Sequence, residues 1–180
     1  MSENTQLTLA DLTLDVEEAY KNDQLNLILN TPPPQKWVKE HPYIRGYNYL
    51  PIDKVELLLK RIFKTYKLEI TGQGTAFNGV WVTVRITVKN PTTGEEMQAD
   101  GIGAAQLQTK KDTSPADLQN INNGALAMAF PIAKTLAVKD AADHFGSIFG
   151  ANLNRKDVQS YQADSNLTSA FGDNKKKFEK

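Results

Sequence analysis

From Val80 to Lys89 the chain alternates without a break, with Val80, Val82, Val84, Ile86 and Val88 on one side and Trp81, Thr83, Arg85, Thr87 and Lys89 on the other. This period of two predicts a β-strand with a single core face. Asn90-Pro91-Thr92-Thr93-Gly94 carries turn chemistry, so the chain is expected to fold back through Glu95 to Gln106 as an antiparallel hairpin. Upstream, Tyr66, Leu68 and Ile70 alternate with Lys67, Glu69 and Thr71, the pattern of a half-buried third strand. Gly101 and Gly103 leave a bare stripe on the returning strand, suited to a closely packed helix or to a bulge.

The remaining pattern is helical. Leu12 to Leu29 is expected to form one helix, with Val16, Ala19, Tyr20, Leu27 and Ile28 among its apolar positions and acids clustered near its start. It ends at Asn30-Thr31-Pro32-Pro33-Pro34, whose three prolines make a stiff, extended connector to Trp37. Pro51 to Tyr66 reads as a second helix, with Val55, Leu58, Leu59, Ile62 and Phe63 on one side and Lys54, Lys60, Arg61 and Lys64 on the other. Lys110 to Asn123 is polar, contains Ser114-Pro115 and reads as a loop. A long helix follows through Ala125 to Phe149, where Ala133, Ala137, Ala141, Ala142 and Phe145 would let it lie close to a sheet. Pro131 either opens the helix proper or kinks it, and Gly146 and Gly150 offer stopping points.

These elements predict an α+β fold: an antiparallel sheet of three or more strands packed against one long helix, with helices N-terminal to it. The expected organisation is an acidic helix and proline-rich connector over 1–35, one compact core over 36–157 and a disordered basic tail over 158–180. The tail is expected because apolar residues thin out after Arg155 and the end, with Lys175, Lys176 and Lys177, is mostly charged.

Composition narrows the chemistry. The 180 residues with 40% apolar content suit one domain of modest core. The sequence has no apolar run near the roughly 20 residues of a membrane helix, and the polar stretch Met1 to Thr8 lacks a signal-peptide pattern. A soluble, cytoplasmic protein without membrane contact is expected. With no cysteine and two histidines, neither disulfides, thiol catalysis nor a cysteine-based zinc site is expected. Gly101-Ile102-Gly103 lacks the third glycine and the lysine of nucleotide-binding loops.

The formal net charge of zero hides a sorting of charge along the chain. Residues 1–35 hold six acids and one base, net −5, whereas residues 36–111 hold twelve bases and seven acids, net +5. A basic middle suits a polyanionic partner, and it is equally compatible with ordinary solvated faces.

The order of elements, together with four short motifs, resembles the Rad fifty-two-like single-strand annealing superfamily, which includes the Sak annealing proteins of bacteriophages. The motifs are Tyr49 with Lys54 to Phe63; Gly79-Val80 leading to Val84-Arg85-Ile86 and Lys89; Asp100-Gly101-Ile102-Gly103; and Ala137-Val138-Lys139 leading to Phe145-Gly146, Gly150-Ala151-Asn152 and Lys156-Asp157. The resemblance covers about Tyr43 to Asp157, and the chain's length is similar to that of the phage members.

What the resemblance implies is a protein that is not an enzyme and uses no cofactor or metal. It would be a homo-oligomeric ring that grips single-stranded DNA by its backbone, leaving the bases free to pair with a complementary strand during recombination. A single-strand-binding protein is a further candidate partner, and a phage protein would work in the cytoplasm of its bacterial host. By the same resemblance, Lys139 and Lys54 match basic residues on opposite walls of an inner groove, while Lys89, Lys110 and Lys111 match an outer DNA site. Arg85 is offered from the same strand as Lys89. The family often has further bases after the lysine, where this chain has Asp140 and Asp143; Lys134 and Arg45 stand as compensating charges.

Two alternatives remain open on the residues alone. Asp53, Glu56, Asp100 and Asp140 would make a metal-dependent nuclease centre if the fold gathered them, and Asp140 with His144 has the spacing of a ligand pair on a helix. A protein-interaction module that does not bind DNA is the other.

Overall fold

The computed structural model describes residues 8–13, 15–114 and 116–178. The expected polar leader therefore lies, except for Thr8, outside the described residues, as does Pro115 of the loop.

The N-terminal helix is divided where one was expected. A single turn, α1 (Leu9–Leu12), precedes α2 (Val16–Leu29), and Asp15 sits between them in extended backbone. Its carboxylate accepts the amides of Glu17 and Glu18 at 2.9 and 3.0 Å. An N-cap satisfies two otherwise orphaned donors, so it starts a new helix rather than continuing an old one.

After the prolines and a 3₁₀ turn at Gln35–Trp37, two short strands, β1 (Lys39–Glu40) and β2 (Asn48–Tyr49), pair antiparallel and pinch off the loop 41–47. Helix α3 (Ile52–Phe63) buries Val55, Leu58, Leu59 and Phe63, and ends at Lys64, whose φ of 65° cannot continue a right-handed helix.

The sheet is antiparallel in the order β3 (Tyr66–Ala76), β4 (Gly79–Lys89), β5 (Glu96–Gln106). The central strand β4 buries all five predicted aliphatics, each at 2% exposure or less. The expected third strand is longer than its alternation suggested, because after a register shift between Ile70 and Gly72 it continues to Ala76 opposite Gly79–Thr83.

Helix α4 (Ala125–Asp143) packs across β4 and β5, making the α+β core a three-stranded sheet backed by one long helix. Pro131 lies within α4, which therefore starts at Ala125 rather than at the proline. Ala129, Ala133, Ala137 and Ala141 form its buried stripe. A Cβ built on Gly101 would collide with the backbone of Ala137 and Ala141, and one on Gly103 with the backbone of Ala133 and Ala137. The two glycines therefore set the helix-to-sheet distance, as the bare stripe predicted. The helix ends earlier than its pattern suggested; a separate 3₁₀ turn, Ser147–Phe149, follows, and Phe63, Phe145 and Phe149 lock it to α3 with ring centroids 5.6–6.4 Å apart.

The disordered tail is corrected by a final helix, α5 (Ser165–Phe178), folded back on α2. Two apolar residues one turn apart suffice: Leu167 is 1% exposed, and Phe171 stacks on Tyr20 at 4.4 Å. Asp164 caps the helix by accepting the amides of Asn166 and Leu167. The polar anchor is Asp23, a carboxylate 5% exposed, which accepts the Tyr161 hydroxyl at 2.6 Å and the Asp164 amide at 2.9 Å. Tyr161→Phe should thus loosen the segment, costing about 2 kcal/mol for one hydrogen bond to a charged acceptor. Amide exchange over 161–178 should accelerate while that of β4 stays slow; equal rates in both variants would show that the bond does not hold the segment.

Candidate nucleic-acid interface

The residues that could bind a polyanion are divided among separate surfaces. Lys139 faces a cleft of about 690 Å³ that no single element could build. One wall is the C-terminal half of α4, with Leu136, Lys139, Asp140 and Asp143; the other is the β1–β2 hairpin, with His41, Ile44, Tyr47, Asn48 and Tyr49. Ile102 of β5 and the segment 149–154 close the ends. The hairpin is held to that segment by a reciprocal pair: the Asn48 amide donates to Asn154 Oδ1 at 2.7 Å, and Asn154 Nδ2 donates to the Asn48 carbonyl at 2.8 Å.

The Lys139 ammonium sits 4.6 Å from the centre of the Tyr49 ring, a cation–π contact that holds it at the cleft wall. Burial lowers its pKa, against an opposing pull from the nearby Asp143 carboxylate. Asp140, the first of the two unexpected acids, serves the fold, because it accepts the Ile102 amide at 2.9 Å and so occupies a donor on the outer edge of β5.

Asp143 has a different environment. Burial, reinforced by Asp140, raises its carboxyl from the ordinary 3.8 to about 6, while Lys139, His144 and Arg155 pull it the other way. The folded protein therefore binds this proton more tightly than the unfolded chain. The stability it contributes is complete below about pH 4 and is lost as pH rises through 6. Asp143→Asn should accordingly raise the melting temperature at pH 7.5, with the gain shrinking towards pH 4; a gain independent of pH would mean that the charge is not its cause.

The other predicted residues lie elsewhere. Arg45 is exposed in the loop 41–47 and shares a shallow hollow with Glu40, His41, Pro42 and Tyr43, next to the cleft rim. Lys134 is exposed on α4. Lys54 is not among the residues lining the cleft; it pairs with Asp53 at 2.9 Å and lies 5.8 Å from the Trp37 ring. Lys89 is exposed at the end of β4, and Lys110 and Lys111 in the turn after β5. Arg85 is committed to its cross-strand neighbour Asp100 through two hydrogen bonds of 2.7 and 2.8 Å, which leaves less of its charge for a partner. Of the predicted cations the fold thus places Lys139 alone in the cleft, with Arg45 in the adjoining hollow that shares His41 and Pro42, and scatters the rest.

The four carboxylates of the nuclease alternative are spread over several partners. Asp53 pairs with Lys54, Asp100 with Arg85, and Asp140 with the Ile102 amide; only Asp100 and Asp140 line a common hollow. Among the described residues, no group of three or more His, Asp or Glu could hold a metal ion. No helix of the described residues is long and apolar enough to cross a membrane.

Sequence reasoning missed His41, Asn48, Asn154 and the placement of Asp143 in the cleft. The available signal was the density of aromatic residues around Tyr43, Tyr47 and Tyr49, which has no helical or strand period to announce a site. No protein-family model matches this chain, and no curated protein matches it.

Proposed function

We propose that this protein binds single-stranded DNA and promotes the annealing of complementary strands without ATP, acting as a homo-oligomer. The observation that carries this reading is the Lys139 cleft: a half-buried cation among aromatic rings, open to solvent and backed by a rigid sheet-and-helix core. Cations that neutralise phosphates release counterions, and aromatic faces accept bases of any identity. Annealing needs no bond chemistry, only a grip on the backbone that leaves bases able to find their complements.

An assembly is supported by apolar surface left in water on α4, where Met128, Ile132 and Leu136 are 42–56% exposed along one line of the helix. Ring formation and contact with a single-strand-binding protein belong to the same proposal.

The test is strand pairing followed by fluorescence, with complementary labelled oligonucleotides, no nucleotide triphosphate and a chelator present at about 50 mM salt. Pairing faster than the protein-free rate is expected, with particles larger than one chain. A monomer that leaves oligonucleotides unshifted would overturn the proposal. Shortening of the DNA only when magnesium is added would point to a nuclease instead.

A further inference from the structure

We infer that the Lys139 cleft seats a single nucleobase of the bound strand and prefers guanine, whose Watson–Crick edge donates to the Asp143 carboxylate. This inference rests on the proposal that the cleft holds a DNA strand, and adds a ligand identity to it.

Beside the backbone grip of Lys139 the cleft has the make-up of a small-ligand site, and one base seated per subunit leaves the other bases of the strand free to pair. Its volume of about 690 Å³ falls within the roughly 300–1,000 Å³ typical of such sites. Its aromatic wall is ordered by mutual edge contacts, with His41 centred 6.0 Å from Tyr47 and 6.2 Å from Tyr49. Tyr47 is 46% exposed and has ring area free to stack on a base, whereas Tyr49 is covered by the Lys139 ammonium.

The polar groups of the cleft are mostly committed. The Asn154 side chain is taken up by the main-chain amide and carbonyl of Asn48, and Asp140 holds the Ile102 amide. The Asp143 carboxylate accepts no hydrogen bond from any described residue, its main-chain carbonyl alone taking the Gly146 amide, although its neighbours Lys139, Asp140, His144 and Arg155 act on its charge and His41 and Tyr47 face the same cleft. A carboxylate in that position is a pair of acceptors awaiting donors.

The chemistry of the bases then selects among them. Guanine presents two adjacent donors, N1–H and N2–H, that match both carboxylate oxygens. Adenine and cytosine each set a ring-nitrogen acceptor beside their amino group, and thymine flanks its one N–H with two carbonyls, so each would bring a lone pair against the carboxylate. Lys139, one turn earlier on α4, is placed for the neighbouring phosphate.

The test measures binding of labelled oligo-dT carrying one central dG, dA or dC, by anisotropy at pH 7.5, where Asp143 is mainly ionised. The dG strand should bind about tenfold more tightly than the dA strand, within the range of a good bidentate base contact. Asp143→Asn should reduce that preference to less than about twofold, and so should a pH near 5; Lys139→Ala should weaken all strands and leave the preference in place. Equal binding of dG and dA, or a dG preference that survives Asp143→Asn, would overturn the inference. Free dGMP and dAMP, compared by saturation-transfer NMR, separate the two readings. A dGMP preference without any strand binding removes annealing and keeps the base site. Strand binding without a dGMP or dG preference does the reverse.

Discussion

Gly103→Ala is expected to destabilise the protein by about 3 kcal/mol, the upper end of what overpacking a core costs, and to lower its melting temperature by roughly 6–12 °C. The added methyl has nowhere to go. It would fall on the Ala133 carbonyl oxygen and the Ala137 nitrogen, which are backbone atoms of α4 and cannot rotate away as a side chain would. Relief requires the helix to lift from the sheet, and the helix is held by Ala129, Ala133, Ala137 and Ala141, all at 2% exposure or less, against the aliphatic face of β4. Separation along that line removes dispersion contacts from every layer at once. Gly101→Ala meets Ala137 and Ala141 in the same way, so the two changes load the same interface and should not simply add. Ile102→Ala is the control between them, since Ile102 is 61% exposed and alternates onto the face of β5 opposite the two glycines. A thermal melt decides: a Gly103→Ala shift as small as that of Ile102→Ala would show that α4 does not sit as close as the backbone places it.

This contact was legible in the sequence for a simple reason. A strand that alternates Ala99, Gly101 and Gly103 on one face has no side chains with which to fill a gap, so only a backbone-close partner can cover it, and the small-residue helix was the one element able to approach. The five buried aliphatics of β4 were legible because a half-buried strand has a period that the chain must write out residue by residue. Helix α5 was not. Its attachment depends on the burial of Leu167, on Phe171 meeting Tyr20, and on Tyr161 and Asp164 meeting Asp23, contacts between segments roughly 140–150 positions apart that leave no local period. The local signals that periodicity passes over are the caps, Asp164 three positions before Leu167 and Asp15 at the start of α2, both visible only once their hydrogen bonds are placed.

The candidate site was legible one residue at a time and illegible as a place. Lys139 stood out on its helix, but the cleft that gives it a purpose is made by the loop 41–47 and the segment 149–154, which approach α4 only in three dimensions. Lys54, grouped with Lys139 by resemblance, lies instead beside Trp37. Asp140 looked like a charge in the wrong position until its bond to the Ile102 amide gave it a structural reason to be there.

The second large effect concerns that lysine. Lys139→Glu should reduce affinity for a labelled oligo-dT to the level of non-specific background, and Lys139→Ala should weaken it about tenfold. Alanine removes one phosphate contact, and the log–log salt dependence should then become shallower by roughly 0.7, the share of one contact on a single strand. Glutamate does more, because it sets a third carboxylate beside Asp140 and Asp143 in a cleft that already penalises the second. With its nearest cation gone, the Asp143 carboxyl should move further above 6, and the protein should recover part of its affinity as pH falls and that group is neutralised. Lys54→Ala provides the comparison: its ammonium is paired with Asp53 and lies away from the cleft, so its effect should be several-fold smaller. The melting temperature of each variant, measured alongside, separates a lost contact from a lost fold, since Lys139 also packs its stem at the helix surface. If Lys139→Ala binds as tightly as the unchanged protein, with the same salt slope, the cleft is not where the strand is held, and the exposed lysines at the ends of β4 and β5 become the surface to test.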